Sequence, residues 1–300
     1  MPRSGIMEVK MNIKEEKNKI IITEQPDFEP SHIFECGQAF RWEKEKDNSY
    51  TLVANGRVIN VAKENEDIVI NNTNEEEFYN IWKDYFDINT DYSNIKLNLD
   101  HDDIMKKAIE FGHGIRILNQ DEFETIISFI ISANNRIPMI KKVIENLSIN
   151  FGDKIGEYNG KTYYSFPTTE QLANAPIEVI RDCKAGFRSE RIKEAAKRII
   201  EEKDIVYNLK SKSYDEALEY LMTYNGIGNK VANCVLLFSM KQFSTFPVDV
   251  WVRRVMQELY VPKTTSDKEI RKFAEDKFGD ISGYAQQYLF YFAREQGIGK

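Results

Sequence analysis

The sequence is poor in the residues that usually hold metals or form disulfide bonds. Its 300 residues include only three cysteines, Cys36, Cys183 and Cys234, and three histidines. An odd number of widely separated cysteines argues against a disulfide framework, and three cannot form a four-cysteine zinc or iron–sulfur site. The histidines are also far apart, without the spacing typical of metal ligands. We therefore expect neither a metal nor a cofactor.

The sequence also lacks a long apolar run. No segment approaches the roughly eighteen apolar residues that a membrane span needs, so we expect no membrane partner. The first residues, "MPRSGIMEVKMNIKEEKNK", lack the apolar core of a signal peptide. "MPRSGI" is interpreted as a leader outside the fold. A cytoplasmic monomer is expected.

Positive charge is in deficit overall, since the formal net charge is −7. This value alone argues against a nucleic-acid partner, but the charges are segregated. Residues 181–198 contain seven basic and three acidic side chains, whereas residues 63–77 contain six acidic side chains and one lysine. Such runs are often solvated helix faces, so the basic stretch permits a DNA partner without establishing one.

What the sequence does contain predicts an α+β protein of two domains. Residues 19–24, 38–45, 49–64 and 67–72 are rich in β-branched and aromatic residues and are separated by turn signals. A helix is expected over 74–87. After residue 91 the pattern predicts helices joined by short loops. We therefore predict an antiparallel β domain over residues 1–98, followed by a larger all-helical body over 99–300.

A glycine turn in the helical body separates two predicted helices, 213–221 and 229–239. Gly226 and Gly228 permit a tight backbone turn, and the amides at the start of the following helix favour an anion. A helix, a glycine hairpin and a second helix can therefore clamp a phosphate without an excess of positive charge. Many such turns only join two helices, so the motif is weak by itself.

Lys230 lies in the first turn of the second helix, where the helix dipole disfavours a positive charge. This position favours the neutral amine, which is the nucleophilic form of lysine. Cys234 and Phe238 follow at intervals of four residues and share its helix face. The three side chains are predicted to line a pocket with one reactive end. A surface lysine whose stem covers apolar neighbours remains the alternative.

Asp249 is placed as the N-cap of a predicted helix, 249–259, after the extended "FPV". A carboxylate that accepts hydrogen bonds from helix amides is favoured in its ionised form. Such a group is a poor general base but can stabilise a positive charge that develops nearby. A purely structural cap is the alternative.

The hairpin, Lys230 and Asp249 at these intervals resemble the helix-hairpin-helix, Gly/Pro…Asp superfamily of base-excision DNA glycosylases. Within it the chain resembles the 8-oxoguanine DNA glycosylases, over about 250 residues. The segments that carry this resemblance are "CGQAFRW" (36–42), "SFIISANNRI" (128–137), "AGFRSERI" (185–192) and "YAQQYLF" (284–290). The resemblance implies a twisted antiparallel β domain, similar to the TATA-binding protein, packed on a helical body with the hairpin motif near 213–240. It also implies a partner, double-stranded DNA that contains 8-oxoguanine.

The resemblance assigns the chemistry to two residues. Lys230 attacks C1′ of the deoxyribose to form a Schiff base that permits β-elimination, and Asp249 stabilises the positive charge. Gly37 offers its carbonyl to the N7 hydrogen of the oxidised base. The other side chains implied around the flipped base are Cys234 and Phe290 on its two faces, Gln286 on its Watson–Crick edge, and Phe238 and Pro247.

The resemblance also implies a set of DNA contacts. Asn134 fills the gap left by the flipped nucleotide, Phe187 wedges into the stack and Arg188 reads the opposite base, while Gly226 and Gly228 approach the backbone. Several positions depart from the family pattern, and two of them bear directly on DNA contacts. Met139 replaces an arginine that reads an opposite cytosine, and Trp251 replaces a histidine near the aspartate. We expect relaxed opposite-base preference.

Two other interpretations remain open from the sequence. In a monofunctional glycosylase for alkylated bases, Lys230 only binds phosphate. A non-catalytic helix-hairpin-helix module keeps Gly226 and Gly228 but has no use for Asp249 or for a base pocket.

Overall fold

The computed structural model describes residues 12–299. The predicted leader, "MPRSGI", lies outside the described residues. So do residues 7–11 of the N-terminal segment in which no signal peptide was found, and Lys300. Within 12–299, every helix is too short or too polar to cross a lipid bilayer.

Six antiparallel strands form the N-terminal sheet. They are β1 (Asn12–Glu16), β2 (Lys19–Thr23), β3 (Trp42–Lys44), β4 (Tyr50–Ala54), β5 (Arg57–Glu64) and β6 (Asp67–Asn71). Their order across the sheet is β1-β2-β6-β5-β4-β3. Short turns join β4 to β5 and β5 to β6, with Ala54 opposite Arg57 and Glu64 opposite Asp67. The antiparallel sheet predicted from the turn signals is confirmed.

One face of the sheet is covered by apolar side chains from the neighbouring helices. Ile20 and Ile22 on β2 and Ile68 and Ile70 on β6 are buried together with the indole of Trp82. Alternate residues of a strand point to the same face, which explains the spacing of these isoleucines. This packing gives the sheet its own apolar core.

One strand prediction was wrong in extent, and one strand was not predicted. Residues 38–45 were expected to be a strand, but only Trp42–Lys44 pair with β4. Before them the chain is a loop, because the buried amide of Gln38 donates to the carbonyls of Ile33 and Arg116. Strand β1 was not predicted, since its sequence NIKEE is polar and lies at the sheet edge.

The helical body follows, and the main helices lie close to their predicted positions. The helices in chain order are α1 (Pro30–Glu35), α2 (Glu75–Glu77), α3 (Lys83–Tyr85), α4 (Tyr92–Leu99), α5 (Asp103–Phe111), α6 (Glu122–Ser132), α7 (Ile137–Phe151), α8 (Thr169–Asn174), α9 (Ile177–Ile180), α10 (Ser189–Glu201), α11 (Lys203–Asn208), α12 (Tyr214–Met222), α13 (Asn229–Ser239), α14 (Val250–Leu259), α15 (Asp267–Phe278) and α16 (Ser282–Gln296). A π-helical turn, Phe78–Trp82, joins α2 to α3 within the predicted helix 74–87.

The body is not purely helical, contrary to the prediction. A two-stranded hairpin, β7 (Lys154–Tyr158) and β8 (Lys161–Tyr164), follows α7. Its two-residue turn is Asn159-Gly160, and both residues have positive φ. Asn-Gly is the typical sequence of such a turn. Tyr163 packs against Val53 and Val58 of the sheet, so the hairpin joins the two parts of the chain.

A second apolar core fills the helical body. It includes the buried side chains of α6, α13 and α16, and also Cys36 and Phe40 from the loop before β3. The N-terminal part therefore contributes a loop to the helical core. This contact brings residues that are distant in sequence to one site.

Candidate active site

A cavity lies where the loop before β3 meets α6, α13, α14 and α16. It is lined by Cys36, Gly37, Phe129, Lys230, Cys234, Phe238, Pro247, Asp249, Val252, Gln286, Gln287 and Phe290. All eight residues predicted for the catalytic and base-pocket sets are in this lining. Among residues 12–299, the side chains that commonly bind metals form no cluster of three or more.

Lys230 lies in the first turn of α13, as the sequence predicts. Gly228 is the N-cap of this helix and offers no side chain to the first amides. The amine Nζ lies 5.2 Å from the ring centroid of Phe129, and the side chain is half-buried. The amine therefore stands at the positive end of a helix, in the wall of an apolar cavity.

Asp249 is the N-cap of α14, and this prediction is confirmed. Its Oδ1 accepts a hydrogen bond of 2.8 Å from the amide of Val252. The side chain is half-buried and lines the same cavity as Lys230. The cap fixes one carboxylate oxygen, which leaves the other available to a positive charge in the cavity.

Two thiols share the cavity with Lys230 and compete with it as candidate nucleophiles. Burial raises the pKa of the Cys36 thiol to about 12. Burial also raises the pKa of the Cys234 thiol, which the charge of Lys230 lowers and that of Asp249 raises. Only the thiolate is a strong nucleophile, so both cysteines are kept in the unreactive form. The amine of Lys230 lies in the same cavity as these two thiols.

The loop that carries Gly37 is held against α16. The guanidinium of Arg294 donates to the carbonyl of Glu35 and lies 5.6 Å from the ring centroid of Phe290. On the other side of Gly37, Gln38 is fully buried, and its Oε1 accepts from the amide of Leu118 at 2.8 Å. The loop is therefore anchored on both sides of the glycine.

Gly37 has a φ of +86°, a region that side chains disfavour. A Cβ at this position would lie 3.2 Å from Cε1 of Phe290. The backbone of residue 37 therefore lies so close to the ring of Phe290 that a side chain would be crowded. Its peptide groups are within the lining, where they are free of an intervening side chain.

Gln286 and Gln287 are adjacent on α16 and both line the cavity. They are 5% and 2% exposed, and each Oε1 is without a hydrogen-bond partner among residues 12–299. A buried amide oxygen without a partner costs free energy, about 1–3 kcal/mol. These two oxygens are therefore available to accept hydrogen bonds from N–H groups of a molecule in the cavity.

The sequence prediction missed four residues of the lining, namely Cys36, Phe129, Val252 and Gln287. Cys36 and Gln287 are next in sequence to the predicted residues Gly37 and Gln286, and this adjacency could have indicated that they line the cavity. Phe129 and Val252 reach the cavity through the packing of α6 and α14. The ring of Phe129 is stacked on that of Phe238, with centroids 5.7 Å apart.

The predicted DNA-contact residues form a second group. Arg188 donates to the carbonyl of Ala133 at 3.0 and 2.6 Å and to that of Asn134 at 2.9 Å. Its guanidinium carbon lies 4.3 Å from the ring centroid of Phe187, which is 58% exposed. Asn134 is exposed and has a φ of +52°. Arg188 thus ties the loop of Asn134 to an apolar ring that projects into solvent.

The two residues that depart from the family pattern lie at helix starts. Met139 is in the first turn of α7 and is 42% exposed. Trp251 is in the first turn of α14, and its Nε1 is buried without a hydrogen-bond partner in the described part of the chain. Neither side chain offers the charged donor that the family pattern has at its position.

The glycine hairpin connects α12 to α13. The amide of Ile227 donates to the carbonyl of Tyr224 at 3.1 Å and closes the turn. Gly226 has a φ of +88°, and a Cβ there would lie 2.6 Å from Cδ of Arg191. Gly228 has open space around it. The predicted helix-hairpin-helix over 213–240 is confirmed.

Comparisons with known proteins agree with this fold and site. Residues 127–279 match the family model described as HhH-GPD superfamily base excision DNA repair protein. Residues 19–126 match the model described as 8-oxoguanine DNA glycosylase, N-terminal domain. The fold and the site thus define a base-excision DNA repair enzyme of the helix-hairpin-helix class. Within this superfamily the chain belongs to the 8-oxoguanine DNA glycosylase family, as the resemblance predicted.

Three relatives illustrate the similarity. A solved 8-oxoguanine glycosylase/lyase of Clostridium acetobutylicum, in complex with double-stranded DNA containing cytosine opposite 8-oxoG, is 48% identical; the match covers 96% of this chain and 99% of that one, with a TM-score of 0.93. A probable N-glycosylase/DNA lyase of Methanothermobacter thermautotrophicus is 31% identical over 71% of this chain and 74% of the relative. The N-glycosylase/DNA lyase of Saccharomyces cerevisiae is 35% identical over 59% and 56%.

Proposed function

We propose that this chain is a bifunctional DNA glycosylase that removes 8-oxoguanine from duplex DNA and then cuts the strand at the abasic site. The observation that carries the proposal is the shared cavity of Lys230, Asp249, Gly37 and Gln286. It combines an amine nucleophile, a carboxylate and groups that can bind a base edge. A base inside a duplex cannot reach such a cavity, so the nucleotide must be flipped out.

The proposed chemistry begins with the amine of Lys230. Its nitrogen attacks C1′ of the deoxyribose while the bond from C1′ to the base breaks, and the base leaves with the bonding electrons and takes up a proton. The nitrogen loses a proton and the bond from C1′ to O4′ breaks, which opens the ring and gives a Schiff base between Nζ and C1′. Loss of a proton from C2′ then drives β-elimination, in which the 3′ oxygen leaves with its phosphate. Asp249 stabilises the positive charge on the sugar and later on the iminium.

The proposed recognition of the oxidised base depends on its extra hydrogen. Only the oxidised guanine carries a hydrogen on N7, and we assign the carbonyl of Gly37 as its acceptor. A site built to use one hydrogen bond rejects a base that lacks it, because a buried polar group is then left unpaired. Gln286 binds the Watson–Crick edge, while Cys234 and Phe290 contact the two faces of the base and Phe238 and Pro247 complete the wall.

We expect Gly37→Ala to lower the rate of 8-oxoguanine excision by roughly tenfold to a hundredfold, because a side chain at positive φ strains the loop and disturbs the positioning of the base. The added Cβ meets Phe290 at 3.2 Å and forces the loop or the ring to move. Single-turnover excision measures the effect. The matched control is Gly56→Ala, where φ is also positive at +67° but no atom lies within 4 Å. Equal losses in both variants would contradict the assignment of Gly37.

We further propose how the duplex is opened and held. Phe187 wedges into the base stack, Asn134 fills the gap, Arg188 reads the opposite base, and the hairpin of Gly226 and Gly228 binds the backbone. We assign Trp251 to the same DNA surface. The protein acts as a monomer in the compartment that holds the DNA, which is the cytoplasm of a prokaryote or the nucleus of a eukaryote. We place the boundary between the β domain and the glycosylase domain between residues 98 and 99.

The proposal is tested by following base release and strand scission separately on two duplexes. One contains 8-oxoguanine and the other contains 3-methyladenine. With the 8-oxoguanine duplex we expect free 8-oxoguanine and a nicked strand, and the nick should form without alkali treatment. Release of 3-methyladenine alone, with an intact abasic strand, would favour a monofunctional glycosylase. Binding to both duplexes without any release would favour a non-catalytic module.

We predict that the wild-type protein depends less on the base opposite the lesion than family members with an arginine at the position of Met139, because Met139 offers no hydrogen bond to that base and only Arg188 is left to read it. Met139→Arg should raise the preference for cytosine by about 1–3 kcal/mol, which is roughly 5- to 150-fold. Excision rates with C, A, G and T opposite 8-oxoguanine measure it. Ile149→Arg, on the same helix and also exposed, is the control for added charge. A strict requirement for cytosine in the wild-type protein would refute this prediction.

A further inference from the structure

Most of the seven basic residues in the stretch 181–198 have polar partners within residues 12–299. These pairs are Arg181 with Glu190, Lys193 with the carbonyl of Ala175, Arg198 with Glu202, and Arg188 with the carbonyls of Ala133 and Asn134. Arg191 differs from them. Its side chain is half-buried, yet within the described residues its guanidinium has neither a carboxylate partner nor a hydrogen-bond acceptor.

The guanidinium of Arg191 lies between the wedge and the hairpin. Its Cζ is 5.4 Å from the ring centroid of Phe187. On the other side, its Nε and Nη1 lie 3.1 and 3.3 Å from the place where Gly226 would carry a Cβ. Any side chain at residue 226 would displace the guanidinium. Arg191 is therefore held by an aromatic ring on one side and by the glycine turn on the other.

Arg191 forms no ion pair within the described residues, and the nearby carboxylate of Glu194, three residues along α10, accepts a hydrogen bond from the side-chain amide of Asn225 instead. Arg188 and Arg191 both contact Phe187, and the partners of Arg188 are neutral carbonyls. Burial, and then the charge of Arg191, lower the pKa of Arg188. An anion within reach of Arg191 would remove this repulsion, and guanidinium groups bind phosphate in preference to most other anions.

We propose that Arg191 binds a backbone phosphate of the duplex at the point where the DNA passes from the Phe187 wedge to the Gly226 hairpin. The inference rests on the proposed function only in that the partner is duplex DNA; it does not depend on which base is removed. Arg191 then links the insertion of Phe187 into the base stack to the binding of the DNA backbone by the hairpin. The stacked ring and the glycine turn fix its direction before DNA binds.

The salt dependence of DNA binding tests this proposal. Each phosphate contact adds about 0.9 to the slope of log K against log salt for duplex DNA. We expect Arg191→Gln to reduce the slope by about 0.9 and to weaken binding about tenfold at moderate salt. Fluorescence anisotropy with an undamaged duplex, and with one containing a stable abasic-site analogue, gives both values without any base excision.

Lys197→Gln is the matched control, since it removes the same charge from an exposed position on another face of α10. It should leave the slope unchanged, and Arg191→Lys should retain most of it. A wild-type slope in Arg191→Gln, with the protein folded by circular dichroism, would overturn the assignment of Arg191 alone. Failure of the wild-type protein to bind either duplex would overturn the proposed function and this inference together.

Discussion

Lys230→Gln is expected to reduce both base excision and strand scission to the uncatalysed background. Glutamine has a similar length and can fill the same space beside Phe129 and Cys234, but its amide nitrogen is not a nucleophile. Folding and DNA binding should persist, because the hairpin backbone is unchanged. Single-turnover assays on an 8-oxoguanine duplex measure the two activities separately. Strand cleavage after alkali treatment reports base excision, and cleavage without alkali reports strand scission by the protein.

The control for this substitution is Lys268→Gln. Lys268 is also the second residue of its helix, α15, but is exposed and lies outside the cavity lining. It should retain full activity. If Lys230→Gln released the base at the wild-type rate and only failed to cut the strand, the amine would not be the attacking group in excision.

Asp249→Asn is expected to slow excision by about a hundredfold to a thousandfold, the range for loss of one strong electrostatic contact in a transition state. Asparagine is about as good an N-cap as aspartate. The amide of Val252, which donates to Asp249 at 2.8 Å, therefore keeps an acceptor. The free energy of unfolding should change little, while the charge in the cavity is lost. Single-turnover excision and urea denaturation measure the two quantities.

Asp91→Asn provides the comparison, since Asp91 caps α4 through the amide of Asn94 and is exposed. We expect no effect on excision there. Retention of full excision activity in Asp249→Asn, with normal folding, would assign Asp249 a capping role only and would contradict its proposed part in the chemistry.

The sequence predicted the fold where local signals agree with the tertiary structure. The capping boxes of Ser213 with Glu216 and of Ser266 with Glu269 mark helix starts that the structure retains. Strand β1 was not predicted, because an exposed edge strand does not need apolar residues that alternate with polar ones. The hairpin β7–β8 was missed although its Asn-Gly turn was visible, since its strands carry Lys, Glu and Gly among the apolar residues.

The candidate site was predictable where chemistry resides in a side chain at a fixed interval. Lys230 and Asp249 are examples, because a helix start and an N-cap can be recognised locally. Gln287 and Phe129 were not found, since their place in the cavity depends on how α16 and α6 pack. The contacts of Arg188 could not be predicted either, because its acceptors are backbone carbonyls, which leave no mark in the sequence.

The central claim is that the amine of Lys230 forms a covalent bond to the sugar of an 8-oxoguanine nucleotide. Sodium borohydride reduces a Schiff base to a stable amine, so a trapped protein–DNA adduct can be seen on a denaturing gel and located by peptide mass spectrometry. The account predicts an adduct at Lys230 with the 8-oxoguanine duplex and none in Lys230→Gln. Release of 8-oxoguanine without any trapped adduct, or an adduct that persists in Lys230→Gln, would contradict it.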